Sequence, residues 1–248
     1  MDLGVDSKRG VYVKHVVYDT LSMAAPTWLN CMAASAVQLF CISLISTHGT
    51  VSELAALGLS NVFCNISGNS MIWGLAAALD TLSPQALGAG EKRLAGLYCL
   101  RSIALMFLTG SVPILSIWLF AGPLLSALGQ DPAVVTAAAA FIRFRIPGVL
   151  CLPVYVGVSK TMIAMGKTTL PGGVSIVSNL CSAIIAWLLL AKLGWGVEGA
   201  AVALSAAEVL QSLLIGVLWR CDEECRDCWP GLSRSVTSKH HNRYSVTP

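Results

Sequence analysis

Six runs of apolar residues follow one another along this chain of 248 residues, and short polar stretches separate them. Each run approaches or exceeds the roughly 20 helical residues that cross the hydrocarbon of a bilayer. The runs are too long and too uniformly apolar for the strands of a membrane barrel, in which apolar and polar positions alternate. The pattern therefore predicts an all-α integral membrane protein, folded as a six-transmembrane-helix bundle. We place the spans near residues 23–45, 54–79, 97–120, 133–158, 171–192 and 197–219.

The polar stretches divide the chain into three parts. Residues 1–19 form an N-terminal segment, residues 20–220 carry the six spans, and residues 221–248 form a polar tail. The tail has too few apolar residues to pack, so we predict that it is disordered. Ahead of the fourth span, Asp131 is placed to cap the helix and Pro132 to take its first position.

Composition and charge agree with a membrane protein. Hydrophobic residues make up 55% and charged residues 12% of the chain, which is about half the charged fraction of a soluble domain. All of the 16 Lys and Arg residues except Arg143, Arg145 and Lys192 fall on one side of the predicted bundle. The positive-inside rule then predicts that both termini are cytoplasmic. The apolar spans predict the lipid bilayer as a partner. Because the basic residues form no single patch, we expect no nucleic acid as a partner.

Two acidic residues in apolar runs are candidates for ion coupling. Glu208 lies near the middle of the sixth run, where a carboxylate costs about 3 kcal/mol and marks a functional site by default. The alternative is that Glu208 is neutral and hydrogen-bonded to a neighbouring helix. Asp80 lies at the end of the second run. We favour a structural or gating role for it, in which it caps the turn at residues 85–90 or pairs with Lys92 or Arg93, over ion coupling.

Amide side chains form a second set of candidates, for the wall of a substrate cavity. Those at positions 61, 65 and 69 are spaced four apart and share one helix face, which we expect to look into the bundle or a cavity. Hydrogen bonding between helices is the alternative role. The full set is Asn30, Gln38, Asn61, Asn65, Asn69, Asn179 and Gln211.

The two arginines of the fourth run, Arg143 and Arg145, lie in its outer half and point to different faces. We expect one or both to extend to the outer headgroups, as long basic side chains near helix ends do. A role in an external gate is the alternative.

Other chemistry finds little support. The tail thiols Cys221, Cys225 and Cys228, followed by His240 and His241, match no standard zinc spacing. We therefore predict no metal site and no cofactor, with palmitoylation of these cysteines as an alternative. No nucleophile and base share a span, which argues against an enzyme, and no filter-like loop suggests a channel.

The polar stretch between the second and third spans, residues 78–101, is the most distinctive part of the sequence, and we call it the hinge. Its residues resemble a motif of the MATE (multidrug and toxic compound extrusion) family, in the branch found in plants and other eukaryotes. Residues 128–132, 146–148 and 192–201 are similar to later landmarks of that family, in the same order. The matching hinge positions are Ala78, Leu79, Asp80, Thr81, Leu82, Gln85, Ala86, Gly88, Ala89 and Gly90.

The resemblance implies one lobe of a twelve-helix MATE transporter. Such a protein exports organic cations, xenobiotics or secondary metabolites in exchange for protons or sodium ions, by alternating access between two lobes. It would need a second lobe or another copy, in the plasma or vacuolar membrane. The alternative is a truncated membrane protein that does not transport. Ser83 and Pro84 depart from the family motif, and the expected hinge residues are Pro84, Gln85, Gly88, Gly90 and Pro147.

Overall fold

The computed structural model describes residues 3–228, and every regular element within this range is helical. Three short segments are π-helices, with one extra residue in the turn: Asn65–Asn69, Met106–Ser111 and Leu188–Lys192. The α-helices are Leu3–His48, Val51–Cys64, Ser70–Ala76, Leu79–Gly88, Lys92–Leu105, Val112–Leu119, Ala121–Ala127, Pro132–Ala164, Thr169–Trp187, Gly196–Cys221 and Glu223–Asp227.

Six helical stretches of the described chain are long and apolar enough to cross a membrane, which confirms the predicted six-helix membrane bundle. The protein is therefore an integral, multi-pass membrane protein. We number these stretches as the first to the sixth span. They are Trp28–His48, Val51–Gly88, Lys92–Leu119, Pro132–Ala164, Thr169–Lys192 and Gly196–Cys221.

Several helices extend beyond the predicted bounds. The first helix starts at Leu3, so most of the segment predicted to precede it is helical. The second span continues to Gly88 instead of ending near residue 79, with only a turn at residues 77–78. A short helix, Ala121–Ala127, lies between the third and fourth spans. The apolar runs locate the spans, but polar ends such as the hinge extend the helices past the apolar residues.

The fourth span is the centre of the bundle. It packs along the sixth span and the second span, and the first span packs on the fifth. Its fully buried side chains include Phe141, Ile142 and Val156. Ala200, Ala201 and Ala203 of the sixth span are also fully buried, and small residues of this kind let membrane helices approach closely.

The starts of the second and fourth spans are capped by their own sequence. Thr50 accepts a hydrogen bond from the backbone amide of Glu53, whose carboxylate accepts one from the backbone amide of Thr50, forming a capping box. Asp131 accepts a hydrogen bond from the Ala133 amide at 2.8 Å, and Pro132 follows it as the first helical residue, as the sequence predicts.

The hinge is a helix–turn–helix in which the turn is much shorter than the sequence suggests. Pro84 lies inside the helix Leu79–Gly88, and the third span begins at Lys92. Gly90 turns the chain with φ of 75°, a conformation that side chains with a Cβ rarely adopt. We call the end of the bundle that carries this turn the hinge end.

The chain after the sixth span folds back onto the hinge end. Asp222 caps the helix Glu223–Asp227 and accepts a hydrogen bond from Lys167, whose Nζ also lies 3.1 Å from Glu224. Cys225 and Cys228 are buried. The tail predicted to be disordered from residue 221 thus begins with packed structure, because its cysteines supply apolar contacts. The remainder of that tail, with His240 and His241, lies outside the described residues.

Candidate functional site

A buried ion pair joins the fourth and sixth spans near the middle of each. Arg145 Nη2 donates to Glu208 Oε1 at 2.5 Å, and the two side chains are only 8% and 16% exposed. Of the two arginines, one or both of which the sequence predicts to extend to the outer headgroups, Arg145 does not do so, because it turns inward to this carboxylate. Arg143, two positions earlier, is exposed, as expected for the opposite face.

The backbone of the fourth span makes room for this pair. Gly148 follows Pro147 and donates its amide hydrogen to Ser205 Oγ at 2.9 Å. A Cβ at position 148 would lie 2.1 Å from Glu208 Oε2 and 3.1 Å from Ser205 Oγ. Only glycine therefore leaves the space that the carboxylate fills.

One oxygen of the buried carboxylate has no direct partner. Glu208 Oε2 is inaccessible and accepts no hydrogen bond from the described residues, whereas Oε1 is held by Arg145. Next to the pair, Ser212 Oγ lies 2.8 Å from the Cys151 carbonyl oxygen, which links the fourth and sixth spans again. An unsatisfied carboxylate oxygen at this depth has the capacity to bind a proton or a polar ligand atom.

A second polar cluster joins the first, fifth and sixth spans, and we call it the amide node. Ser175 Oγ donates to Asn30 Oδ1 and accepts from Asn179 Nδ2 and Gln211 Nε2, both at 3.3 Å. Asn179, Gln211 and Ser175 are buried, and Asn30 is half-buried. Three of the predicted amides thus meet at one serine. Ser175 is not among the residues predicted from the sequence, because a serine in an apolar helix carries little signal by itself.

The remaining predicted amides do not join this node. Asn69 Nδ2 donates to Asn65 Oδ1 at 3.0 Å, so these two pair with each other. Asn65 is exposed, Asn61 is half-buried and Gln38 is exposed.

The four-residue spacing of these amides predicts one shared face on a regular α-helix. The π-helical turn Asn65–Asn69 interrupts that regular helix and changes which face the side chains lie on. Two serines of the second span do face the bundle. Ser60 is fully buried, and Ser67 Oγ accepts a hydrogen bond from Trp118 Nε1 at 2.9 Å.

A third polar contact lies at the hinge end. Lys160 Nζ of the fourth span donates to both carboxylate oxygens of Asp80, at 2.6 and 2.7 Å. The predicted partners of Asp80, Lys92 and Arg93, are not used for this pair, and Lys92 lies instead 3.3 Å from Glu224. No sequence pattern links Asp80 to Lys160, since 80 positions separate them.

The described residues contain no group of three or more His, Cys, Asp or Glu side chains arranged to hold a metal ion. Cys225 is buried, and its Sγ lies 3.9 Å from the sulfur of Met165. Burial raises the pKa of the Cys225 thiol to about 12, so the thiolate that a metal ligand needs is disfavoured there. The two thiols of the tail that are buried, Cys225 and Cys228, therefore act as packing groups.

Comparison with known proteins identifies relatives of the whole bundle. Protein DETOXIFICATION 13 of Arabidopsis thaliana is 30% identical over 223 residues, which cover 87% of this chain and 44% of that protein. Protein DETOXIFICATION 15 of the same plant is 27% identical over 238 residues, 94% of this chain and 48% of the relative. The chain spans about half the length of these curated relatives.

Solved structures give the same result. The crystal structure of the eukaryotic MATE transporter AtDTX14 matches with a TM-score of 0.77 and 26% identity, over 86% of this chain and 47% of that one. The Vibrio cholerae MATE transporter VcmN in its bent form matches with a TM-score of 0.75 and 20% identity, over 89% and 49%, and shares the fold. The MatE family model matches residues 26–188, so this chain belongs to the MatE family.

Proposed function

We propose that this chain is one lobe of a MATE-type secondary transporter, which exports small organic molecules in exchange for protons or sodium ions. The observation that supports this best is the structural match to AtDTX14, which covers most of this chain and about half of the transporter. The two lobes would alternate access to a central cavity, with this bundle as one wall. The second wall would come from another lobe or another copy of the chain.

The amide node is our candidate for contact with the transported molecule or the coupling ion. It gathers uncharged donors and acceptors from three spans, and in membrane transporters such groups form sites where helices meet near mid-membrane. Asn30 is only half-buried, so a ligand can reach the node at this residue. Displacing Asn30 from Ser175 would offer that ligand the serine hydroxyl and the amide together.

Glu208 is our candidate for coupling to protons. The carboxylate is paired with Arg145, so protonation of Glu208 must break an ion pair that also holds the fourth and sixth spans together. Proton binding would thereby change how two spans pack, which is the kind of two-state element that coupling requires. Asp80, at the hinge end, is the second candidate.

We further propose that the hinge end is cytoplasmic. Lys92, Arg93, Lys160 and Lys167 all lie at or near this end, and positive residues of multi-pass proteins concentrate on the cytoplasmic side. The plasma membrane and the vacuolar membrane are both compatible with this orientation.

The test is transport in cells that lack their own drug efflux, with ethidium as the probe. We expect no efflux from this chain alone and restored efflux when the second half of a related transporter is co-expressed. Asn30→Ala should abolish the restored efflux, whereas Thr47→Ala, which removes an exposed hydroxyl of the same helix, should not. Membrane-inserted protein that never restores efflux with any second lobe would contradict the proposal.

A further inference from the structure

At the hinge end, Lys160 is held between a carboxylate and an aromatic ring. Its ammonium group donates to both oxygens of Asp80 and lies 5.9 Å from the centre of the Trp73 ring. That distance is within the about 6 Å over which a cation is attracted to an aromatic face. Trp73 and Asp80 therefore surround one positive charge from two sides.

This arrangement is open to water on one side. The Asp80 side chain is 57% exposed and Trp73 is 48% exposed, whereas Lys160 is only 16% exposed. Beside Trp73, a Cβ added to Gly74 would meet no atom within 4 Å. A carboxylate this exposed is not stable against hydrocarbon, so this face of the second span meets water, headgroups or an aqueous cavity.

A carboxylate and an exposed indole side by side are the groups with which proteins bind ammonium ligands. Here the protein's own lysine occupies the position of such a ligand. The Asp80 side of this ion pair is open to solvent, and pairs that water can reach contribute little to stability. Lys160 is thus a competitor that another cation can displace, and the exposed Asp80 side chain gives that cation a path to the site.

We propose that Asp80 and Trp73 form a binding subsite for small organic ammonium ions, in which Lys160 is the tethered competitor. A ligand ammonium binds Asp80, stacks on Trp73 and moves Lys160 aside. The role of this subsite rests on the proposed transport function, because a transported molecule would meet the subsite at the hinge end. The binding step itself does not depend on transport.

The test measures binding of radiolabelled choline to the purified full chain in lipid nanodiscs. We expect Lys160→Met to lower the Kd of choline about three- to fivefold, because the competitor is gone and the ion pair it replaces is weak. Asp80→Asn should raise the Kd about three- to fivefold, because it removes the negative charge that attracts the ligand. Trp73→Ala should raise it about two- to fivefold, and Trp73→Phe by less, as expected for a ring contact.

The controls separate a binding site from a structural ion pair. Glu198→Gln removes an exposed carboxylate elsewhere on the chain and should leave the Kd unchanged. The uncharged analogue 3,3-dimethylbutan-1-ol should not compete with choline. A purely structural pair predicts the same direction of effect for Lys160→Met and Asp80→Asn, whereas the subsite predicts opposite directions.

The results distinguish a binding subsite from a purely structural ion pair. If Asp80→Asn does not fold, Lys160→Met decides alone, and an unchanged or weakened affinity for choline overturns the subsite. Restored ethidium efflux with no tightening in Lys160→Met defeats only the subsite. Choline binding with the expected signs, but no efflux with any second lobe, defeats only the transport function.

Discussion

Two ion pairs tie the fourth span to its neighbours, and they differ in their access to water. Arg145 and Glu208 meet near the middle of their spans with both side chains nearly buried, whereas Lys160 and Asp80 meet at the hinge end, where Lys160 is equally buried but the carboxylate is more than half exposed. The groups involved are similar, a cation on the fourth span and a carboxylate on another span. Because their environments differ, the two pairs differ in the free energy that breaking them costs.

Burial makes the Arg145–Glu208 pair costly to break while both groups are charged. A charge that loses its partner in the interior is left without water, and breaking such a pair costs about 3–5 kcal/mol. An exposed partner is rehydrated, so breaking the pair at the hinge end costs about 1 kcal/mol or less. The first pair is therefore suited to hold the bundle together and the second to exchange partners.

The largest expected effect is the loss of one member of the buried pair. Arg145→Met or Glu208→Gln alone should lower the free energy of unfolding by about 3–5 kcal/mol, since each leaves its partner buried without a counter-charge. The double variant Arg145→Met with Glu208→Met should recover most of this loss. Unfolding of the purified protein in mixed micelles measures all three. A double variant no more stable than the single ones would show that the charge is not the cause.

A smaller loss is expected when the space beside the buried carboxylate is filled. Gly148→Ala places a methyl group against Glu208 Oε2 and should destabilise the bundle by about 1–3 kcal/mol, the usual effect of overpacking. Gly173→Ala is the matched control, because nothing lies within 4 Å of its Cβ position. The same unfolding measurement applies, and equal effects of the two substitutions would disprove the close approach.

At the hinge end the same kind of substitution should hardly change stability. Lys160→Met is expected to shift the free energy of unfolding by less than about 1 kcal/mol, because the exposed Asp80 carboxylate that it leaves is solvated by water. Raising the salt concentration to 1 M should weaken this pair further but leave the buried pair intact. A loss as large as that of Arg145→Met would remove the distinction between the two pairs.

The weakest effect concerns the ion pairs of the terminal helix Glu223–Asp227. Hydrogen bonds from Lys167 lower the pKa of Asp222 and of Glu224, and the hydrogen bond to Asp222 raises the pKa of Lys167. Because the carboxyl pKa values are lowered in the docked state, the ionised carboxylates stabilise the docked helix above about pH 4.5. This stabilisation is lost as the pH falls through the lowered pKa values. Because the pKa of Lys167 is raised, its charged form stabilises the docked helix below about pH 10.5. This stabilisation is lost as the pH rises through the raised pKa.

Docking of this helix should therefore be constant across neutral pH and weaken only below about pH 4. Protection of the amides of residues 223–228 from hydrogen exchange, relative to an unfolded peptide at the same pH, measures it. Glu224→Gln should raise the pH at which protection is lost, while Glu223→Gln, an exposed neighbour, should not. Protection that changes between pH 6 and 8 would contradict the assignment of these pairs.

The sequence predicts the elements of this fold better than their contacts. Long apolar runs locate all six spans because the bilayer sets a minimum helix length, and Asp131 caps its helix because capping is a local interaction. The partners of Asp80 and Glu208 depend on how spans far apart in the chain lie against each other. Ser175 collects three amides for the same reason, and no local pattern marks it.

The π-helical segments have a consequence for comparing this chain with its relatives. Each holds one residue more than an α-helical turn would, as an insertion absorbed inside a span. Deleting one residue from Asn65–Asn69 should restore a regular helix and rotate everything after it by about 100°, carrying Trp73 and Asp80 to another face. Single-residue gaps within membrane spans are therefore meaningful in an alignment of this family, because they decide which side of a helix faces the other spans.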